Sequence, residues 1–316
     1  MSGDLEFYYI FRDAMTDAGI SFALTSGMAC VEYGIQQNTK DTDWLIAPDS
    51  VELLREMLCR FERGLSGRNW RIGYRGLFGA PLDRDYLANG WTSHLAIWDT
   101  PDSVEHHLDF FVQPPRLSAG AALEGAAEAI AHRLVVAQMK KTNRDRDWPI
   151  AEALAYQELL SGNGEAVLHL RDPEALKDAW GLCSEDQRRI LLARRPLLAQ
   201  IANPSPKILR LLAAERGLWE EVNKLRYGRY QHEWKAFLKR WRAEDEFAWP
   251  VSVPFARQHE LVVRAADVHR LARDPLGGLD GRVAIFEEAM NHITSIFALD
   301  PMEQKLVAPP ISEMLP

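Results

Sequence analysis

The chain lacks any apolar run approaching the ~20 residues that a helical membrane span requires, so no membrane partner is expected. It has only three cysteines in 316 residues, Cys30, Cys59 and Cys183, widely spaced and without a Cys-x-x-Cys pair. This argues against a disulfide framework or a thiolate zinc site and predicts reduced thiols in a cytoplasmic protein. Positive charge is not in excess: 37 Lys and Arg stand against 45 Asp and Glu, a net charge of −8. A global attraction to nucleic acid is therefore not expected. There is no Gly-x-Ser-x-Gly elbow for a nucleophilic serine, no internal repeat and no low-complexity tract. The N-terminal Met1-Ser2-Gly3-Asp4-Leu5-Glu6 is acidic, so a secretory leader is not expected. What is left is the composition of a globular protein, 47% hydrophobic and 26% charged, long enough for about two domains.

The most informative stretch is Thr25–Ile46. Ser26-Gly27 follows an apolar segment and opens a short helical pattern. Backbone N–H groups at a helix start favour an anion, and glycine permits close approach. Asp41-Thr42-Asp43 then heads a second apolar segment. In a strand, residues i and i+2 share a face, so Asp41 and Asp43 can present two carboxylates side by side. Adjacent carboxylates repel unless a cation lies between them, and Mg²⁺ with phosphate oxygens is the usual solution.

These residues resemble the signature of the nucleotidyltransferase-fold superfamily, the DNA polymerase β-like group. That signature is a Gly-Ser-type turn, a short helix and Asp-x-Asp at the head of a strand. The resemblance is closest to bacterial minimal or abortive-infection-type members and covers roughly the first half of the chain. It implies a third carboxylate from a later strand, supplied here by Asp109 in His107–Val112, and an Arg-Asp-rich run, supplied by Lys140–Asp147. It implies that Asp41, Asp43 and Asp109 are catalytic and hold two Mg²⁺ ions, with Mn²⁺ as the alternative. Ser26, Gly27, Lys140 and Arg144 would contact the phosphates of a nucleoside triphosphate. The expected reaction moves a nucleoside monophosphate to an acceptor hydroxyl on a small molecule, tRNA or protein. One departure favours a different class, a binding or regulatory protein that kept the fold and lost the chemistry. Many such members carry an Arg shortly before the acidic pair, where Gln36-Gln37 stands here.

Organisation supports an α+β fold: a small mixed sheet over 1–118 with helices on one side, then an all-helical domain over 119–316. Helical periodicity is expected at 4–18, 28–35 and 50–63, and strands at 20–25, 44–47, 95–98 and 107–112. Trp70–Tyr74 and Arg75–Phe78 are expected to pair with each other. Later helices are expected at 121–141, 148–161, 173–181, 185–201, 207–225, 229–244, 255–273 and 282–298. Between Lys207 and Arg242, ten Lys or Arg and four Glu give a local net charge of +6, interleaved with Tyr227, Tyr230, Trp234 and Trp241. Such a segment suits a triphosphate or a nucleic-acid acceptor; the plainer reading is a solvated helix face with its aromatics packed inward. His107 is expected to be hydrogen-bonded at a strand end, His106 to be exposed, and Lys140, Arg144, Asp145 and Asp147 to form either a phosphate site or an ion network. For a cationic small-molecule acceptor, Glu152, Glu158 and the acidic run 244–246 are the candidate contacts.

Overall fold

The computed structural model describes residues 2–315 apart from 40, 65–69, 76–77, 100–104, 115–118, 125, 127–128, 202–205, 244–248 and 251–252. Helix α1 (Ser2–Asp17) leads into β1 (Phe22–Thr25), α2 (Ser26–Glu32), β2 (Asp41–Ile46) and α3 (Val51–Glu62). Then follow β3 (Trp70–Tyr74), α4 (Arg84–Leu87), β4 (Ser93–Asp99) and β5 (His106–Phe111). The five strands form one mixed sheet in the order β1-β2-β5-β4-β3. Only β2 and β5 run parallel; the other three pairs are antiparallel. Trp70–Tyr74, expected to pair with 75–78, pairs with β4, and residues 76–77 of the expected partner lie outside the described part.

Alternation along the strands divides the sheet into two faces. Trp44 of β2 and Phe110 of β5 point to one, where they meet Phe11 of α1, which in turn packs on Phe61 of α3. Phe11 and Phe61 are fully enclosed, and each contributes roughly 1.5–3 kcal/mol by burial. His106 is on this face too, stacked on Phe7 at 3.9 Å between centroids rather than exposed. The opposite face is not left bare, as one-sided packing would have it. Ala23 of β1 packs with Ala29, Cys30, Val136 and Leu154, and Leu45 and Phe111 pack with Ala122. Small residues on β1 and α2 let these helices approach that end of the sheet.

No further strand occurs after β5 among the described residues apart from a single bridge. The helices are α5 (Ala119–Leu123), α6 (Arg133–Met139), α7 (Asp147–Leu160), α8 (Pro173–Leu182), α9 (Glu185–Arg194), α10 (Ile208–Arg242), α11 (Phe255–Val268), α12 (Gly278–Phe297), α13 (Pro301–Val307) and α14 (Ile311–Met314). The expected helix 121–141 is interrupted because Ile130 forms a parallel bridge to Leu24, and His132 caps α6 by accepting the Leu134 N–H. The expected helices 207–225 and 229–244 are one helix of 35 residues. Gly228 costs a helix about 1 kcal/mol, but Val222 and Asn223 before it and Tyr230, Trp234 and Phe237 after it are all buried and hold the backbone straight through.

The helical half is locked to the sheet through edge strand β3. The Gln258 amide of α11 donates to the Ile72 carbonyl at 2.9 Å and accepts from the Tyr74 N–H at 3.3 Å. Trp249 donates to the Tyr74 carbonyl at 2.9 Å. An edge that could otherwise pair with another chain is thereby partly capped. Among the described residues, no helix is long and apolar enough to cross a membrane.

Candidate functional site

Strand register places four polar residues in one line across the sheet. Thr25 of β1 is opposite Asp43 of β2, Asp43 is opposite Asp109 of β5, and Asp109 is opposite His94 of β4. Directly opposed residues share a face, so the two carboxylates and the imidazole lie side by side. One pleat further along, Asp41 is opposite His107. The sequence folds this way because each strand switches from polar to apolar at the same level: Trp44-Leu45-Ile46 and Phe110-Phe111-Val112 are buried directly after the aspartates.

Each carboxylate has a distinct environment. Asp109 meets His94 Nδ1 at 2.6 Å, and Asp41 meets His107 Nδ1 at 2.8 Å. His107 Nε2 lies 3.4 Å from Glu105, so His107 is held at a strand end as expected. Arg75, immediately after β3, reaches over the row. Its Nη1 lies 3.5 Å from Asp41 and 3.6 Å from Asp109, which bounds the separation of those two oxygens at about 7 Å. Among the described residues, no such cation is in contact with Asp43. Burial pushes its carboxyl up from 3.8 to about 7, helped by the charge of Asp109 and opposed by Lys140 and by the Ser26 hydroxyl, which donates to it. Ser26 itself holds left-handed backbone, φ 51°, at the first position of α2. Such a conformation in a residue with a Cβ is strained by roughly 1–3 kcal/mol.

A cavity of about 480 Å³ opens over this row. Ser26, Asp43, His94 and Asp109 form its floor. Thr142, Asn143 and Arg144 border it, and Asn223, Arg226 and Tyr227 of α10 supply the wall. Asn223 fixes α10 in place by donating to the Lys141 carbonyl at 2.7 Å. Tyr230, two turns on, donates to the Asn89 carbonyl at 2.6 Å beside the cavity residue Gly90.

The sequence-derived candidates thus separate into those that share the cavity and those that do not. Ser26, Asp43, Asp109 and Arg144 line it together. Asp41 belongs to the next row and is engaged by His107 and Arg75. Gly27 is buried, and a Cβ there would collide with Thr39, so its lack of a side chain serves packing. Lys140 is buried with its Nζ 3.8 Å from Asp147. Asp147 also accepts from Arg144 Nε at 2.7 Å and from Thr142 at 2.6 Å, while Asp145 pairs with Arg216. The 140–147 run is therefore an ion network, with Arg144 at the cavity border as well.

The acidic groups considered for a cationic acceptor are engaged elsewhere. Glu152 accepts the N–H groups of Arg171 and Asp172, and buried Glu158 pairs with Arg133. Residues 244–246 lie outside the described part. Cys30 is buried, its thiol pushed up to about 11, which leaves it inert as a nucleophile.

Asp43 and Asp109 fit a single hard divalent ion: two oxygen donors on adjacent strands, open to a cavity that would admit substrate oxygens. Among the described residues, no group of three or more His, Cys, Asp or Glu is arranged to hold a metal by itself. Sequence reasoning missed His94, Arg75 and Asn223, and held Arg226 only as one of the ten basic residues of 207–242. His94 was legible, because it heads the apolar run Leu95–Trp98 just as Asp109 heads its own. Asn223, Arg226, Tyr227 and Tyr230 stand at i, i+3, i+4 and i+7, one face of a helix. No family model matches the chain, and no curated protein matches it.

Proposed function

We propose that the chain is a metal-dependent nucleotidyltransferase of the polymerase β-like fold, acting in the cytoplasm on a nucleoside triphosphate and an acceptor hydroxyl. The observation that carries this reading is the placement of Asp43 directly opposite Asp109 on the parallel pair of strands, at the floor of a cavity with an arginine-bearing wall. Mg²⁺, or Mn²⁺, would be held by Asp43 and Asp109 and would neutralise charge on the phosphates; a second ion would call on Asp41. The chain's own groups do the rest. Ser26 orients the Asp43 carboxylate. His94 Nδ1 holds one oxygen of Asp109, and the other would take the acceptor's proton. As the acceptor oxygen bonds to the α-phosphorus, the bond to the β-phosphate oxygen breaks and pyrophosphate leaves. Positioning and charge neutralisation supply the rate, with no covalent intermediate.

A second reading, a nucleotide-binding regulator without turnover, is favoured by Arg75. Its guanidinium stands between Asp41 and Asp109 as an internal counter-charge. One experiment separates the two. The full-length protein is incubated with labelled nucleoside triphosphates and Mg²⁺ or Mn²⁺, with small-molecule, tRNA and protein acceptors. Label transfer and pyrophosphate release that vanish in Asp43→Asn support the enzyme. Nucleotide binding in calorimetry without pyrophosphate release supports the regulator. Transfer that persists in Asp43→Asn places the chemistry elsewhere.

A further inference from the structure

Of the ten basic residues between 207 and 242, those that meet acids do so within the chain. Arg210 pairs with Glu303, Arg216 with Asp145 and Glu220, Lys224 with Glu221, and Arg240 with Glu233. Arg226 differs. It lines the cavity, yet no carboxylate and no hydrogen-bond acceptor meets it among the described residues, and its Nε is buried without a partner. The groups beside it are the Tyr227 and Tyr230 rings; its guanidinium carbon lies 5.8 Å from the Tyr230 ring centroid. Burial pushes the guanidinium below its ordinary value without bringing it near neutrality. Arg226 is partly buried and has no counter-charge among the described residues, which opposes folding; its contact with the Tyr230 ring offsets part of that cost, and the neighbouring Asn223 and Tyr230 dock the helix by their own hydrogen bonds.

We infer that Arg226 is the anion-binding group of this cavity and takes phosphate oxygens of the substrate at the α10 wall. The inference rests on the nucleotidyltransferase reading for the identity of the substrate, but the subsite itself requires no transfer. Three features point to phosphate. A guanidinium offers a planar fork of donors that matches two phosphate oxygens at once. Arg144 and Asn143 border the same cavity, adding a second cation and an amide. Arg226 and Arg144 share this cavity with the carboxylates of Asp43 and Asp109, so its lining carries both signs of charge, the acids from the strands and the arginines from the helical half. A substrate that carries phosphates and also brings a divalent cation fits both at once. Ser26 and Gly27 then serve the floor and the packing, and the α10 wall is the phosphate side.

The test uses inorganic tripolyphosphate as the probe, with full-length wild type, Arg226→Met, Arg226→Lys and Lys224→Ala. Lys224 is exposed on the same helix and paired to Glu221, so it controls for the general charge of α10. Calorimetry in millimolar Mg²⁺ should show binding to wild type, weakened at least about tenfold in Arg226→Met, partly restored in Arg226→Lys and unchanged in Lys224→Ala. Thermal unfolding of the free proteins is the second readout. Arg226→Met should melt at the wild-type temperature or above it, because a partly buried charge without a counter-charge has been removed. Wild type that binds no tripolyphosphate, or Arg226→Met that binds it as well as wild type, overturns the inference. So does Arg226→Met that melts well below wild type with its affinity intact, which would assign Arg226 to packing. If polyphosphate binding depends on Arg226 while no nucleotide is ever transferred, the subsite stands and the enzymatic reading falls.

Discussion

Replacing Asp43 by Asn should stabilise the protein, and by an amount that depends on pH. The side chains have nearly the same shape, so the difference isolates the charge. The folded-state value of Asp43 is about 7 against an ordinary 3.8. Between those limits the folded protein holds a proton that the unfolded chain has released, so the contribution of this carboxyl to stability falls as pH rises through that window. About three units at about 1.4 kcal/mol each set a ceiling of about 4 kcal/mol. Asp43 is only partly buried, and solvent screening brings the expected gain to about 2 kcal/mol. For a chain of this length that is about 3 °C in melting temperature. Asp43→Asn should therefore exceed wild type by roughly a third of this margin near pH 5 and by the full margin near pH 8. His259 titrates in the opposite sense: burial holds it down at about 4, so its neutral form's contribution is lost as pH falls from 6.5 through 4. That slope is common to both proteins and cancels in the difference. Urea unfolding of the pair from about pH 5 to pH 8.5 measures the effect. Added Mg²⁺ should narrow the gap at the alkaline end by stabilising wild type alone. A gap that is the same at both ends, or an Asn variant that is the weaker one at pH 8, would refute the reasoning.

Three further perturbations probe other parts of the structure. Arg75→Met removes the cation between Asp41 and Asp109; it should cost about 1 kcal/mol of stability and tighten Mg²⁺ binding several-fold by calorimetry, and unaltered affinity would deny Arg75 a competing role. Tyr74→Phe leaves the Leu82 N–H and His259 Nδ1 without their shared hydroxyl, and should lower the urea-unfolding free energy by about 1–3 kcal/mol. No measurable loss would mean that these groups find other partners. Arg195→Met strands the buried Glu215 carboxylate and the Val167 and Leu170 carbonyls, for an expected loss of about 3–5 kcal/mol. The double variant with Glu215→Leu should recover most of it; failure to recover would show that the carbonyl contacts dominate.

The strands carrying the aspartates were legible because Asp43 is followed at once by the apolar run Trp44–Ile46, and Asp109 stands as a lone charge inside the apolar run Leu108–Val112. Their alignment in one row was implied by i, i+2 spacing only within a strand; the register between β2 and β5 is a tertiary fact. Two misreadings have physical causes. Gly228 looked like a helix break, yet the buried residues on either side of it outweigh one glycine's propensity. The 121–141 periodicity looked continuous, yet Leu24 captures the backbone at Ala129–Ala131 and opens it. The cationic wall was visible only as a diffuse charge excess over 207–242. Which of its ten cations would be left without an acid depends on Glu303, Asp145 and Glu220, partners up to 93 residues away. Arg75 offered no pattern at all, since its role depends on β3 pairing with β4 rather than with the residues that follow it.

The long helix α10 has a consequence for the order in which the protein assembles. At 35 residues it extends about 52 Å; it reaches the cavity only near its middle, and α12 and α13 pack along it. Floor and wall come from Ser26 and Tyr227, some two hundred residues apart in the chain, and contacts of such separation form slowly. The cavity, and with it the meeting of acid floor and arginine wall, exists only once the second half has docked. A chain shortened before α10 would therefore lose the enclosure that makes the position of the aspartates matter.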